Sequence, residues 1–299
     1  MKIQTFSIVV GTSACDANCP FCISHTTGFD QIPKNRDINW RNFDKACKLA
    51  QLAGTTTVLL TGKGEPSLYP QEILLYVRTA ADHFPFIELQ TNAIRIGHLA
   101  QGNPNKATPL DISILKRWFD AGLNTIAISV VDILTENNQK VYHEDYPDLS
   151  KTIDLLHEIG FTVRLCVMMQ NGMVDNPDRV HDVVNFCRSR RVAQLTMRPI
   201  RRPILPVLSG NKEADYVDQN GLSQRQIDVI ADYIETAGTH ISTIMNGGHA
   251  AKVYDILGQN LCLSDCLTVE PSNDDIRTLI FYPDGHLYTD WQFTGARLL

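Results

Sequence analysis

Phe6-Ser7-Ile8-Val9-Val10, followed four residues later by Cys15-Asp16-Ala17-Asn18-Cys19-Pro20-Phe21-Cys22, is the stretch on which the fold turns. The first five residues, apolar but for Ser7, read as a strand, and the cysteines sit in the loop that leaves it. Their spacing is C-x3-C-x2-C, with an aromatic residue just before the last. Three thiolates so placed point to an iron–sulfur cluster. A four-iron cubane has four corners, so three protein ligands leave one iron open to a group that is not protein. Two other readings of the triplet stay open at this point. His25 can complete a Cys3His zinc site, since structural zinc takes four protein ligands. A disulfide needs an oxidising compartment, and Met1-Lys2-Ile3-Gln4-Thr5 leads into the strand without a signal-peptide pattern.

Composition narrows these readings. A chain of 299 residues with 43% hydrophobic content can bury roughly three quarters of the surface its unfolded form exposes. Its formal charge of −6 is spread along the chain, which argues against a general nucleic-acid-binding surface and leaves room for a local basic pocket. No apolar run approaches the roughly 20 residues that span a bilayer, so the expectation is a soluble cytoplasmic protein with no membrane partner. Eight cysteines are too few for a disulfide scaffold at this length, and only three are tightly clustered.

Outward from the cysteine loop, β-branched runs alternate with amphipathic stretches. Strands are expected at 6–10, 56–60, 87–90, 125–130, 162–168 and 193–197, and helices at 40–53, 71–84, 112–121, 150–159, 178–188 and 224–237. Asn39 is a cap for the first helix, Gly160 a terminator, Asn176-Pro177 a helix start, and Ser223 with Gln226 a capping box. Repeated βα units imply a parallel sheet, and right-handed crossovers curl it into a partial TIM-like barrel of the α/β class. In that architecture the loops after the strands share the active-site face. The Pro- and Arg-rich segment 199–221 is expected to be an active-site loop. The chain divides near residue 240 into a barrel (1–240) and a C-terminal extension or lid (241–299), whose residues 280–288 read as a hairpin around Pro283-Asp284-Gly285.

After the second strand comes Thr61-Gly62-Lys63-Gly64-Glu65-Pro66. Glycines there allow close backbone approach, and the carboxylate can accept hydrogen bonds from an ammonium group. This turn shares a face with the cysteine loop, one βα unit later. Together the two motifs resemble the radical S-adenosylmethionine (radical SAM) superfamily. Cys15, Cys19 and Cys22 match its C-x3-C-x-aromatic-C motif, with Phe21 as the aromatic, and Gly64-Glu65-Pro66 matches the end of its Gly-Gly-Glu-Pro motif, with Lys63 in place of the usual first glycine of the pair. The barrel region also looks similar to the GTP 3′,8-cyclases. The resemblance covers residues from about 5 to 200 and implies a [4Fe–4S] cluster on the three cysteines, S-adenosylmethionine chelating the fourth iron, and an enzyme that generates a 5′-deoxyadenosyl radical. It implies an electron donor such as flavodoxin or ferredoxin. Gly62 belongs to the same implied cofactor turn. Thr91-Asn92 looks like the family's Thr-Asn-Gly position, with Ala93 replacing glycine, and Ser129 looks like a cofactor-contacting serine.

The later loops bear on the substrate. Arg198, Arg201 and Arg202 leave the sixth strand on the catalytic face, where guanidinium forks can hold phosphate or carboxylate. Arg164, inside the fifth strand, needs a partner, and the cofactor carboxylate or Glu65 are the candidates. Cys262 and Cys266 form a C-x3-C pair that an auxiliary cluster would need more cysteines to use, so a lid built from residues 281–291 is preferred. Three functions follow: a radical SAM enzyme acting on a small, anionic, nucleotide-like or carboxylated molecule; one modifying a peptide or RNA; and a non-catalytic zinc-stabilised module on Cys15, Cys19, Cys22 and His25.

Overall fold

The computed structural model describes residues 3, 5–27, 34–35, 37–103, 110–202, 210–246, 249–264, 278–291 and 297–299. Six parallel strands run in consecutive order through its centre: β1 (Thr5–Val10), β2 (Thr57–Gly62), β3 (Phe86–Thr91), β4 (Thr125–Val130), β5 (Thr162–Met169) and β6 (Gln194–Pro199). Helices α2 (Trp40–Leu52), α3 (Pro70–Ala81), α5 (Ile112–Asp120), α7 (Leu149–Ile159) and α8 (Pro177–Ser189) connect them. The strand residues that face these helices are apolar and fully buried: Phe6 and Ile8, Val58 and Leu60, Ile126 and Ile128, Val163 and Leu165, Leu195 and Met197. Their alternates face the interior of the curved sheet and are more polar, among them Ser7, Glu88, Arg164 and Thr196, as the two-residue period of a strand requires. The helices start where the sequence provides caps. Asn39 accepts from the Asn42 N–H, Asp148 from Lys151 and Asn176 from Arg179, and Ser223 with Gln226 makes the capping box of α10 (Gln224–Ala237). Gly160 ends α7 with φ 116°, a conformation that favours glycine.

The sheet is not closed. Its order is β11-β10-β1-β2-β3-β4-β5-β6-β9-β8-β7, and the segment from Thr239 onward supplies strands at both ends. At one end β9 (Gln259–Ser264) runs parallel to β6, with Thr196 opposite Cys262, and β8 (His249–Ile256) and β7 (Thr239–Asn246) follow antiparallel. At the other, β10 (Thr278–Phe281) runs parallel to β1, with Thr5 opposite Thr278, and β11 (Leu287–Tyr288) folds back on it. The expected hairpin is therefore present, and it extends the sheet. Leu279 and Phe281 are fully buried, and the Phe281 ring lies 5.1 Å from that of Phe43 on α2, so the hairpin's apolar face is committed to the core.

Elements beyond the expected alternation include the short helix α1 (Ile23–Thr27), α4 (Ile94–Ala100), α6 (Thr135–Val141), α9 (Lys212–Asn220) and the β7–β9 meander. The segment 199–221 holds α9, capped by Asn211, which accepts from the Ala214 N–H. Cys266 lies outside the described residues. No described helix is long and apolar enough to cross a membrane.

Candidate active site

The cysteine loop leaves the C-terminal end of β1 and passes into the short helix α1 (Ile23–Thr27). Cys22 N–H donates to the Cys19 carbonyl at 3.2 Å, and the backbone N–H of Ala17 to the Cys15 sulfur at 3.4 Å. The β2 turn lies directly against this loop: Gly64 N–H donates to the Thr12 carbonyl at 3.2 Å and Glu65 N–H to the Ala14 carbonyl at 2.9 Å. A Cβ on Gly64 would stand 2.0 Å from the Ala14 oxygen, so only glycine lets the two loops meet. Gly62 is similarly confined, its added Cβ falling 2.7 Å from the Gly64 oxygen.

Glu65 is 3% exposed, and its carboxylate is already engaged. Oε1 accepts from Ser67 N–H at 2.8 Å and the Thr91 hydroxyl at 2.5 Å, and Oε2 from Asn92 N–H at 2.9 Å. In this structure the carboxylate ties the β2 loop to the β3 loop. Burial, followed by the charge of Asp16, pushes the Glu65 carboxyl above its ordinary value, against the pull of those three donors. Asn92 continues the network, its Nδ2 donating to Asp16 at 2.8 Å, and Arg95 Nε donates to the other Asp16 oxygen at 2.6 Å. Asp16 and Arg95 carried no sequence signal, because their partners lie more than 70 residues away. Ala93 sits between them in the left-handed region at φ 59°, a conformation that glycine adopts without strain.

On the opposite side, Phe21 packs its ring 6.2 Å from Tyr142 and 6.4 Å from Tyr216 on α9. The helix α9 is fastened to the cysteine loop twice more. Asn211 Nδ2 donates to the His25 carbonyl at 3.1 Å, and His25 Nδ1 lies 3.5 Å from Glu213. His25 thus faces α9, and among the described residues no three His, Cys, Asp or Glu side chains close on a single ion.

The residues expected farther round the barrel divide. Ser129 is half-buried at the end of β4, opposite Cys166. Arg164 is paired neither with Glu65 nor at the strand ends: Nη1 donates to both Glu88 oxygens at 2.9 Å and Nε to the Thr196 hydroxyl at 3.1 Å. Glu88 faces the same interior two strands away, whereas Glu65 lies beyond its strand and already holds three donors. Arg198, at the end of β6, keeps a buried Nε with no partner. Arg201 is half-buried in the turn that follows. Arg202 makes an ion pair with Asp218 on α9, both about half exposed.

The model of the radical SAM superfamily matches residues 9–187, well over half of the chain. The chain belongs to the radical SAM superfamily. A search of curated proteins found no match. Among solved structures, Streptococcus suis SuiB bound to S-adenosylmethionine is similar at 15% identity and TM-score 0.60, covering 100% of this chain and 63% of SuiB. The protein anSMEcpe with bound AdoMet matches at 14% and 0.55, over 99% of this chain and 76% of its own. HydG, a maturase of the [FeFe]-hydrogenase, matches at 12% and 0.53, over 79% of this chain and 50% of its own. At these identities the likeness establishes the fold, and this chain spans under two thirds of SuiB.

Members of the radical SAM superfamily use a [4Fe–4S] cluster and S-adenosylmethionine. The donor set in the β1 loop fits that pair. Cys15 is exposed and Cys19 and Cys22 are half-buried, and burial with the charges of Cys22 and Cys15 holds the Cys19 thiol well above its ordinary value. Neighbouring thiols of this kind are all ionised together only against a strong local positive charge, which iron provides.

Proposed function

We propose that Cys15, Cys19 and Cys22 hold the cluster and that Phe21, Gly62, Gly64, Glu65, Thr91, Asn92 and Ser129 shape the surrounding cofactor pocket. In this reading Glu65 acts through the backbone it fixes. Arg164 acts as a strut for the barrel interior. When bound, the cluster and S-adenosylmethionine supply reductive cleavage of a sulfonium carbon–sulfur bond, giving a 5′-deoxyadenosyl radical that takes a hydrogen atom from substrate. The chain's own residues position the substrate C–H and keep water away. A reductant such as flavodoxin or ferredoxin delivers the electron. The barrel is assigned to residues 1–240 and the extension to 241–299.

For the substrate we propose a small anion, carboxylated or nucleotide-like, held by Arg198 with Arg201. The observation that carries this is the buried, unpartnered Nε of Arg198 at a strand end of the catalytic face. A guanidinium in that state calls for an oxyanion. A second reading, a peptide substrate, is favoured by two observations. SuiB and anSMEcpe have also been solved with a precursor peptide and with a Cp18Cys peptide. Here residues 239–244 of the edge strand β7 are exposed on both faces.

Anaerobic reconstitution tests the chemistry: a brown protein with iron and sulfide that releases 5′-deoxyadenosine on reduction is expected, and a colourless zinc protein would overturn it. Cell extract fractions that accelerate that release test the substrate. A protease-resistant activity retained on an anion exchanger supports the small anion, and a protease-sensitive one establishes the peptide.

A further inference from the structure

Five buried side-chain atoms among the described residues have no hydrogen-bond partner, and three of them, Tyr142 Oη, Gln170 Nε2 and Arg198 Nε, come from the stretches that follow β4, β5 and from the end of β6. Gln170 is the first residue after β5 and is 1% exposed. Its place is fixed by register. Met168 lies opposite Arg198 and Met169 opposite Pro199, and side chains alternate along a strand, so Gln170 continues the Met168 face one rung beyond Arg198. Its orientation is fixed by α9: the Tyr216 hydroxyl donates to Gln170 Oε1 at 3.0 Å, and the Tyr216 ring packs near Phe21 in the cysteine loop. Exchanging the amide oxygen and nitrogen would leave the oxygen unpaired instead, so half of this buried amide lacks a partner either way. Buried polar groups are ordinarily paired.

We propose that Gln170 is a substrate-binding residue. Its amide N–H, oriented by Tyr216 as a positioning residue, donates to a carboxylate or phosphate whose charge rests on Arg198. This extends the reading of Arg198 as an anion site and depends on it. The carboxylate of S-adenosylmethionine carries the same chemistry, so the test must separate the two sources.

The probe is inorganic phosphate, titrated calorimetrically into reconstituted holoenzyme saturated with S-adenosylmethionine, with cofactor affinity measured separately. Gln170→Glu keeps size and the acceptor for Tyr216 but removes the donor, and Gln170→Leu removes both. Saturable phosphate binding is expected in the wild type, weakened about tenfold or more in either variant, as loss of a hydrogen bond to a charged group predicts. Tyr216→Phe should weaken phosphate severalfold with an unchanged melting temperature, which a purely structural role would not do. Four results overturn the proposal. If Gln170→Leu and Gln170→Glu bind phosphate normally while Arg198→Leu does not, Gln170 is satisfied by water and the Arg198 reading alone stands. If neither position matters, or the wild type binds no phosphate, both readings fall. If the Gln170 variants lose cofactor affinity, the amide serves the cofactor.

Discussion

Around the loops after β1, β2 and β3, two carboxylates gather most of the nearby donors. Glu65 takes Ser67, Thr91 and Asn92, and Asp16 takes Asn92 and Arg95. Two buried atoms remain without a partner there, Ser67 Oγ and Arg95 Nη1, as do Gln170 Nε2 and Arg198 Nε around the ends of β5 and β6. The two sides differ in what their donors meet: on the first, most are tied to protein carboxylates, and on the second, those of Gln170 and Arg198 meet no protein acceptor. Donors tied to a protein carboxylate fix geometry, and donors left without an acceptor select a ligand that brings one. On the proposed reading, the first side serves the cofactor and the second the substrate.

The comparison breaks most completely at the cysteines. Cys19→Ala leaves two thiols for a cluster that uses three, and we expect iron content and the visible absorbance of the reconstituted protein to fall to background. Release of 5′-deoxyadenosine should drop by on the order of 100-fold or more, beyond what loss of an outer-shell partner costs a metal site. Retention of either signal would detach the cluster from this loop.

Glu65 tests whether the first side is a tie or a ligand. Glu65→Ala strands the Ser67 and Asn92 amides and the Thr91 hydroxyl in a buried site, and should lower the stability of the apoprotein by about 3 kcal/mol in urea. Glu65→Gln keeps one oxygen but turns an amide N–H toward other donors, at about 1 to 2 kcal/mol. A carboxylate reserved for the cofactor would leave the apoprotein's stability untouched and weaken cofactor binding alone. Arg95→Ala, which leaves Asp16 with only Asn92, is expected to cost about 2 kcal/mol by the same measurement.

The unequal legibility of the two sides follows from what each is made of. The six central strands and five connecting helices were readable because their apolar residues recur at the period of the element and their caps are local, as at Asn39, Gly160 and Ser223. The cysteine triplet and Gly64-Glu65-Pro66 were readable because each is contiguous. What escaped is set by pairing across distance. Arg164 finds Glu88 because both point into the barrel. Asp16 finds Arg95, 79 residues on, only once β1 and β3 are aligned. The helix α9 is short, with just Ala214 and Val217 as buried apolar anchors, and it sits in a stretch that Pro and Arg make look like loop. The hairpin at 278–288 was recognised by its turn, but a turn says nothing about which edge receives it. That was decided by the parallel pairing of Thr278 with Thr5 and the burial of Phe281.

Arg202 gives the smallest and most discriminating effect. By sequence it stands with Arg198 and Arg201 as one basic cluster, yet its guanidinium turns outward to Asp218, with both side chains nearly half exposed. A pair that stays in water gains little beyond what it loses in side-chain freedom, so Arg202→Ala should change stability by less than about 0.5 kcal/mol. Its effect on phosphate affinity should be equally slight, set against the loss expected for Arg198→Leu. The ion pair should also weaken as salt rises, while the buried Arg198 site should be less sensitive, because screening acts most strongly on exposed charges. Equal losses at both arginines would mean that the pair with Asp218 opens to receive the anion, and the boundary between the engaged and the waiting halves of the site would then run through α9 instead of along the end of β6.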